Sequence, residues 1–320
     1  MCDSTLACYN NGIDTEDDLP NKHFEHLEDS IFDGRRAAWR AVKTALTCKS
    51  VSTKWDGAPA IVFGTNPDNG QFFVGTKSVF NKVKVKINYD YEDIAKNHQG
   101  HVADILRLCL RYLPRISGIV QADWIGVGRS SVYRPNTVEY RFPYALNKEI
   151  ILAPHTVYTE VSPTAEASIG VTLQDTVHCK FIDTNDAYIE DRNNLILVGE
   201  ILALLPFCKV STNTYTRLYC RTLMNKFVRM GSLPSAEFMY NLLEAKYKGE
   251  INVNTFRVWH KIFQLKQRLL DAIRTDSKVQ CFINGEPTSH EGFVLISETP
   301  YKLVDRLTFS KANFNLSKNW

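Results

Sequence analysis

An α+β fold is predicted for this 320-residue chain by the order of its hydrophobic patterns. Strand-like runs fill roughly the first 190 residues and return near the C-terminus, while the stretch between carries helical periodicity with few strand signals. Composition agrees: 44% hydrophobic and 23% charged residues suffice for one large core. The division expected is a loose polar segment at 1–22, an antiparallel core from 23–189 and 278–320, and a helical insertion at 190–277.

Each element follows from local pattern. Phe24, Leu27, Ile31, Ala38, Val42 and Leu46 recur at helical spacing and predict a helix over 23–47. Residues 50–63 read as strand, turn, strand. The run Asn66-Pro67-Asp68-Asn69-Gly70 is a strong turn, after which 71–78 returns as a third strand. A helix is expected at 91–113 and a buried strand at 119–125. Further strands are expected at 137–142, 149–159 and 176–183. Helices then follow at 195–205, 215–230, 236–247 and 254–273, and strands at 291–297 and 301–307.

The bulk numbers exclude several classes. A net charge of +3 neither announces nor rules out a polyanion partner. No apolar run reaches the ~20 residues of a membrane span, and the acidic N-terminus lacks a signal-peptide layout, so a cytoplasmic protein with no membrane partner is expected. Eight cysteines form no C-x-x-C pair, which argues against a zinc ribbon and for reduced, buried thiols.

The chemistry-bearing stretch is Lys54-Trp55-Asp56-Gly57, set between two strand-like runs. Such a motif arises by chance in roughly one chain in fifteen of this length, so its worth rests on its company. A lysine attacks phosphorus only as the free amine, which nearby cations or desolvation supply. The transition state then needs carboxylates for a metal ion and more cations for phosphate. Three downstream segments offer them: Val74-Gly75-Thr76-Lys77, Gln121-Ala122-Asp123-Trp124, and His290-Glu291-Gly292 followed by Lys302. Asp123 reads equally as a metal ligand or as a buried carboxylate paired with a structural arginine.

This ordered set resembles the covalent nucleotidyltransferases: ATP-dependent DNA ligases, RNA ligases and mRNA capping enzymes. The run from Thr53 through Pro59, with Phe72 to Lys77, Phe80-Asn81-Lys82 and His26-Leu27-Glu28-Asp29, is similar to ligase-like proteins of large tailed bacteriophages. For such a protein the expected location is the host cytoplasm. The resemblance implies an antiparallel-sheet adenylation domain that takes ATP and Mg²⁺. Lys54 would carry AMP, pass it to a 5′-phosphate end, and a 3′-hydroxyl would displace it. Asp56 would position Lys54 or touch the ribose, and Gly57 would let backbone approach the nucleotide. Thr53, Lys77, Glu291 and Lys302 would line the nucleotide. Phe142 or Tyr158 would stack on the base, and Asp123 and Glu291 would hold Mg²⁺. Lys302 would serve as a catalytic cation. His155 and His290 are further candidates near the site.

Three departures matter. Asp123 stands where the family has glutamate, Val304 stands at the second lysine of its terminal K-x-K, and no C-terminal OB domain is expected. Arg306 or Lys311 could substitute for that lysine. The expected lack of an OB domain favours RNA end-joining over DNA nick-sealing, whereas Asp123 and Val304 favour an accessory protein that has lost catalysis. An enzyme with another acceptor stays open.

A nucleic-acid partner would contact Lys82, Lys84 and Lys86, which share a face if 81–86 is a strand, or the helical stripe Arg107, Arg111, Arg115. Arg217, Arg221 and Lys226 resemble a second stripe. The competing readings are a charged edge strand and solvated helix faces.

Overall fold

A computed structural model describes residues 24–190 and 193–309. The segment 1–22 and Lys311 lie outside these residues. The chain is mixed α+β and its sheets are largely antiparallel. The elements are, in chain order, β1 Glu25–His26, α1 Arg35–Thr47, β2 Ser50–Lys54, β3 Ala60–Thr65, β4 Phe72–Gly75, α2 Tyr91–Asn97, α3 Gly100–Tyr112, β5 Ile119–Val127, β6 Val132–Tyr133, β7 Glu139–Arg141, β8 Ile150–Tyr158, β9 Ala167–Ile169, β10 Cys179–Phe181 and β11 Ala187–Ile189. After these come α4 Leu195–Leu204, α5 Thr214–Arg229, α6 Ala236–Asn241, α7 Ala245–Lys248, α8 Val253–Ala272, β12 Ile273–Thr275, β13 Gln280–Ile283, β14 Glu286–Thr288, β15 Gly292–Leu295 and β16 Tyr301–Val304.

One six-stranded sheet runs β1-β16-β15-β2-β11-β12 and a second runs β10-β8-β5-β3-β4, with β9 beside β8. The first sheet is helix-covered on one face. Val51, Phe293, Leu295, Tyr301 and Leu303, alternate residues of β2, β15 and β16, share a core with α1, α4, α5 and α8. The second sheet has a matching arrangement: Ile61, Phe63, Val120, Ala122 and Trp124 pack under α3. The opposite faces of the two sheets both contribute to one cleft.

The helices α4 to α8 leave and re-enter the first sheet through neighbouring strands, since β11 pairs with β12 from Ala187↔Thr275 to Ile189↔Ile273. A buried ion cluster ties this block to the rest. Glu28 accepts from Lys266 Nζ of α8 at 2.6 Å and from Arg306 Nη1 at 2.9 Å. Asp29 accepts from Trp259 Nε1 at 2.8 Å and also pairs with Arg306. Arg306 further donates to Asn225 of α5. Arg306 is therefore consumed in the core and does not stand in for a phosphate-binding lysine.

Several sequence expectations need correction. The region 23–47 is not one helix: a 3-10 turn at Leu27–Asp33 is separated from α1 by Gly34, whose φ of 114° breaks the helical path. The stretch 91–113 is two helices, broken at His98 and Gln99. The two strands of 50–63 do not form a hairpin; β2 and β3 belong to different sheets. Residues 81–86 are not a strand, because Lys84 sits at φ 57° and the valines Val83 and Val85 are solvent-exposed. A hairpin that Asn284-Gly285 signals joins β13 to β14, both residues having positive φ.

Candidate active site

Lys54 ends β2 and lies on the cleft face with Ser52, while Val51 faces the helices. Register places Gly292 of β15 opposite Lys54, with Val304 beyond it. Lys302, two residues back on β16, therefore shares the cleft face with Lys54. From the opposing sheet, β5 contributes Gln121 and Asp123, and β8 contributes His155, Thr156 and Tyr158. A register shift between Gln121 and Ala122 leaves His155 as an extra residue in β8 and brings it into the cleft beside Thr156. Lys77 enters from the 3-10 turn that follows β4, rather than from the predicted strand. The cleft holds about 230 Å³. That is below the ~300–1,000 Å³ of ordinary small-molecule pockets, so a nucleotide would protrude.

Five charged residues from distant parts of the chain thus converge: Lys54, Lys77, Asp123, Glu291 and Lys302. Glu291 forms an ion pair with Lys54. Asp123 Oδ2 lies 3.8 Å from His155 Nε2, so the partner it finds is a histidine and not an arginine. Gln121 bridges the group, accepting from Tyr158 at 2.9 Å and approaching His155 at 3.4 Å. Among the described residues, no three His, Cys, Asp or Glu side chains form a ready cation cage. Asp123 and Glu291 suit Mg²⁺ only if phosphate and water oxygens complete its shell, as is usual for that ion.

The electrostatics correct one expectation directly. Burial works against a charge on Lys54, but Glu291 and Asp123 outweigh it and hold the ammonium above its ordinary range. The free amine is therefore not the resting form. Lys302 behaves oppositely: burial, then Lys54 and Lys77, push its ammonium down to about 8. Burial also lowers Lys77, which Lys54 reinforces and Asp123 opposes.

Three other predicted residues turn out to serve the scaffold. Asp56 does not face the cleft for ribose contact. Its carboxylate accepts from Asn136 Nδ2 at 2.8 Å, Thr137 N at 2.8 Å and Val138 N at 2.9 Å, and its own N–H donates to Tyr140 Oη at 2.6 Å. Asp56 thereby fixes the turn after Lys54. Gly57 answers to the protein's own backbone: a Cβ there would lie 2.6 Å from Asp123 Cβ and 2.7 Å from Trp124 O. Gly292 is similar, a Cβ meeting Val304 Cα at 2.9 Å.

Phe142 lies behind the cleft, stacked at 6.0 Å on the buried Trp55 and edge-on to Tyr133. It does not line the cleft, whereas Tyr158 and Phe24 both do. Thr53 lines the cleft too, with its N–H donating to Thr184 O at 2.7 Å and its hydroxyl to Asp186 at 2.5 Å. Thr184 and Ile169 are lining residues that no sequence pattern marks, and Phe24, read as the first apolar position of a helix, is another. His290 is buried against Trp55 at 5.1 Å, and burial lowers its imidazole to about 4, so it is neutral. A second cavity of about 440 Å³ reaches Glu291 from the other side, between the end of α8 and β12 to β14.

The predicted nucleic-acid residues do not gather here. Lys82 and Lys84 are exposed on the 81–86 loop, and Lys86 Nζ donates to Asn97 O at 2.8 Å. Arg107 pairs with Asp104, and Arg111 is exposed against Tyr112. Both lie on α3, which packs on the face of the second sheet turned away from the cleft. Arg217 and Arg221 pair with Asp33.

The chain belongs to a family described as a family of unknown function (DUF6267), which matches residues 21–318. No curated protein and no solved structure matches it. Among the described residues no helix is long and apolar enough to cross a membrane.

Proposed function

We propose that this protein is an ATP-dependent nucleotidyltransferase of the polynucleotide-ligase kind, with Lys54 as the residue that carries AMP. One observation carries the reading: Lys54, Lys77, Asp123, Glu291 and Lys302, which follow the order of nucleotidyltransferase motifs with Asp123 in place of a glutamate, line or adjoin one cleft between two largely antiparallel sheets. Residues that merely decorate a fold have no reason to converge so.

In this reading the ammonium of Lys54 first loses its proton, for which Glu291 is the adjacent base. The Nζ lone pair then forms a bond to the α-phosphorus of ATP, and the bond to the bridging oxygen breaks to release pyrophosphate. Lys77 and Lys302 offset the phosphate charge. Asp123 and Glu291 would hold Mg²⁺, which supplies Lewis-acid polarisation of phosphate oxygens when bound. Tyr158 or Phe24 would pack on the base. The acceptor is a nucleic acid with 5′-phosphate and 3′-hydroxyl ends.

The test is incubation with α-labelled ATP or GTP and Mg²⁺, followed by denaturation. Label on the chain that Lys54→Ala abolishes is the expected result. Label that survives Lys54→Ala would overturn the site. Joining is then assayed on 5′-phosphorylated RNA and DNA side by side. A second reading, a ligase-like binding protein without catalysis, draws on the Glu291 clamp on Lys54 and on Val304 buried in the core; absence of label with any nucleotide would select it.

A further inference from the structure

From Gly34 to Trp55 the chain contains no acidic residue and six basic ones, five of them from Arg35 to Lys49. Helix α1 occupies most of this stretch. Its apolar side, Ala38, Ala41, Val42 and Ala45, is buried in the main core. Its other side shows Arg35, Arg36, Arg40 and Lys43 to solvent, with Trp39 41% exposed among them. At 1.5 Å rise per residue, Arg36 and Arg40 stand about 6 Å apart along the axis and Lys43 one turn further. The acidic groups near the start of the helix are already engaged: Arg221 pairs with both Glu25 and Asp33, and Arg217 with Asp33. Arg36, Arg40 and Lys43 form no ion pair among the described residues. This is uncompensated positive charge around an exposed indole.

We infer that the outer face of α1 is a binding surface for single-stranded nucleic acid, with Arg36, Arg40 and Lys43 on the phosphates and Trp39 stacked on a base. The indole makes the distinction. A charged helix face needs no half-exposed tryptophan to stay soluble, whereas aromatic stacking combined with cationic backbone contacts is the general means of holding a single strand. A membrane surface fits less well, because it requires an apolar helix face to insert and that of α1 is already buried. The helix lies on the covered side of the first sheet, opposite Lys54, so this surface grips a strand away from the reacting end. The choice of partner rests in part on the activity proposed above; the binding itself is read without ATP and does not depend on Lys54.

The experiment is fluorescence anisotropy of labelled single-stranded 20-mers, RNA and DNA, titrated with the full chain between 50 and 300 mM salt (concentrations of about this range set the slope). Replacing Arg36, Arg40 and Lys43 together by Gln should weaken binding at least tenfold at the lowest salt. It should also flatten the slope of log K against log salt by about 2, since each single-strand phosphate contact contributes about 0.7. Trp39→Ala should weaken binding about fivefold or more at unchanged slope, and Trp39→Phe should restore most of it. All four side chains are at the surface, and thermal melts of the variants should overlay the parent. Three results would overturn the inference: no binding by the parent chain, an unchanged slope in the triple variant, or equal affinity for anionic vesicles or polyglutamate. Loss of ATP labelling with binding intact would overturn the proposed activity alone.

Discussion

Glu28→Gln tests the buried cluster that joins α8 to the strand bearing Lys302. Burial opposes the charge on Glu28, but Lys266 and Arg306 outweigh it and hold the carboxyl at about 2 instead of 4.5. That difference corresponds to about 3 kcal/mol of stability at neutral pH. An independent route gives a similar size, since removing one member of a fully buried ion pair costs ~3–5 kcal/mol through the charge left behind. Because the folded value is depressed, this stability is complete above pH 4.5 and is lost as pH falls towards 2. Urea denaturation of parent and variant should therefore differ by about 3 kcal/mol at pH 7 and by only about 1 kcal/mol at pH 3. A difference under about 1 kcal/mol at pH 7, or one that does not change with pH, would refute the reasoning.

Other outcomes follow from the cleft. Gly57→Ala should destabilise the fold by about 1–3 kcal/mol in thermal or urea melts, because its Cβ would press on Asp123 Cβ and the Trp124 carbonyl, neither of which can swing aside. Glu291→Gln removes the nearest opposing charge from Lys54, so the lysine should react faster with an amine-directed acylating reagent at fixed pH, measured by peptide mass spectrometry; an unchanged rate would contradict the ion pair. Lys302 is charged below about pH 8 and neutral above it, so triphosphate affinity should fall as pH rises through that value, and Lys302→Met should remove this dependence.

The parts of the site legible in sequence are those whose chemistry and chain order were both specific. Strand alternation puts Lys54 and Lys302 on one face of the first sheet and Asp123 on the facing side of the second, while Glu291 stands just before β15. Asp56 was not legible in the same way, because the groups that claim its carboxylate, Asn136 to Val138, lie some 80 residues downstream. Gly57 looked like an allowance for a ligand, whereas the neighbour it makes room for is strand β5. The Lys-Val alternation of 82–86 imitates a strand, but both valines are exposed, so the pattern has no buried face to enforce it. Helical periodicity held where a face is buried, as in α5 and α8, and failed at 23–47 because a single glycine dihedral interrupts it. The basic face of α1 was hidden by that same reading, which counted the apolar side of the helix and passed over the other.

Residues 55–59 have a mechanical meaning as well. They are the covalent link between β2 of one sheet and β3 of the other, so the cleft is bound like a book with this short link as its spine. Asp56 stiffens the spine from one side. Thr53 braces it from the other through Thr184, whose hydroxyl in turn holds the Pro154 carbonyl of β8. Lys54 ends the strand from which this braced link departs, so its backbone is fixed at the join of the two sheets.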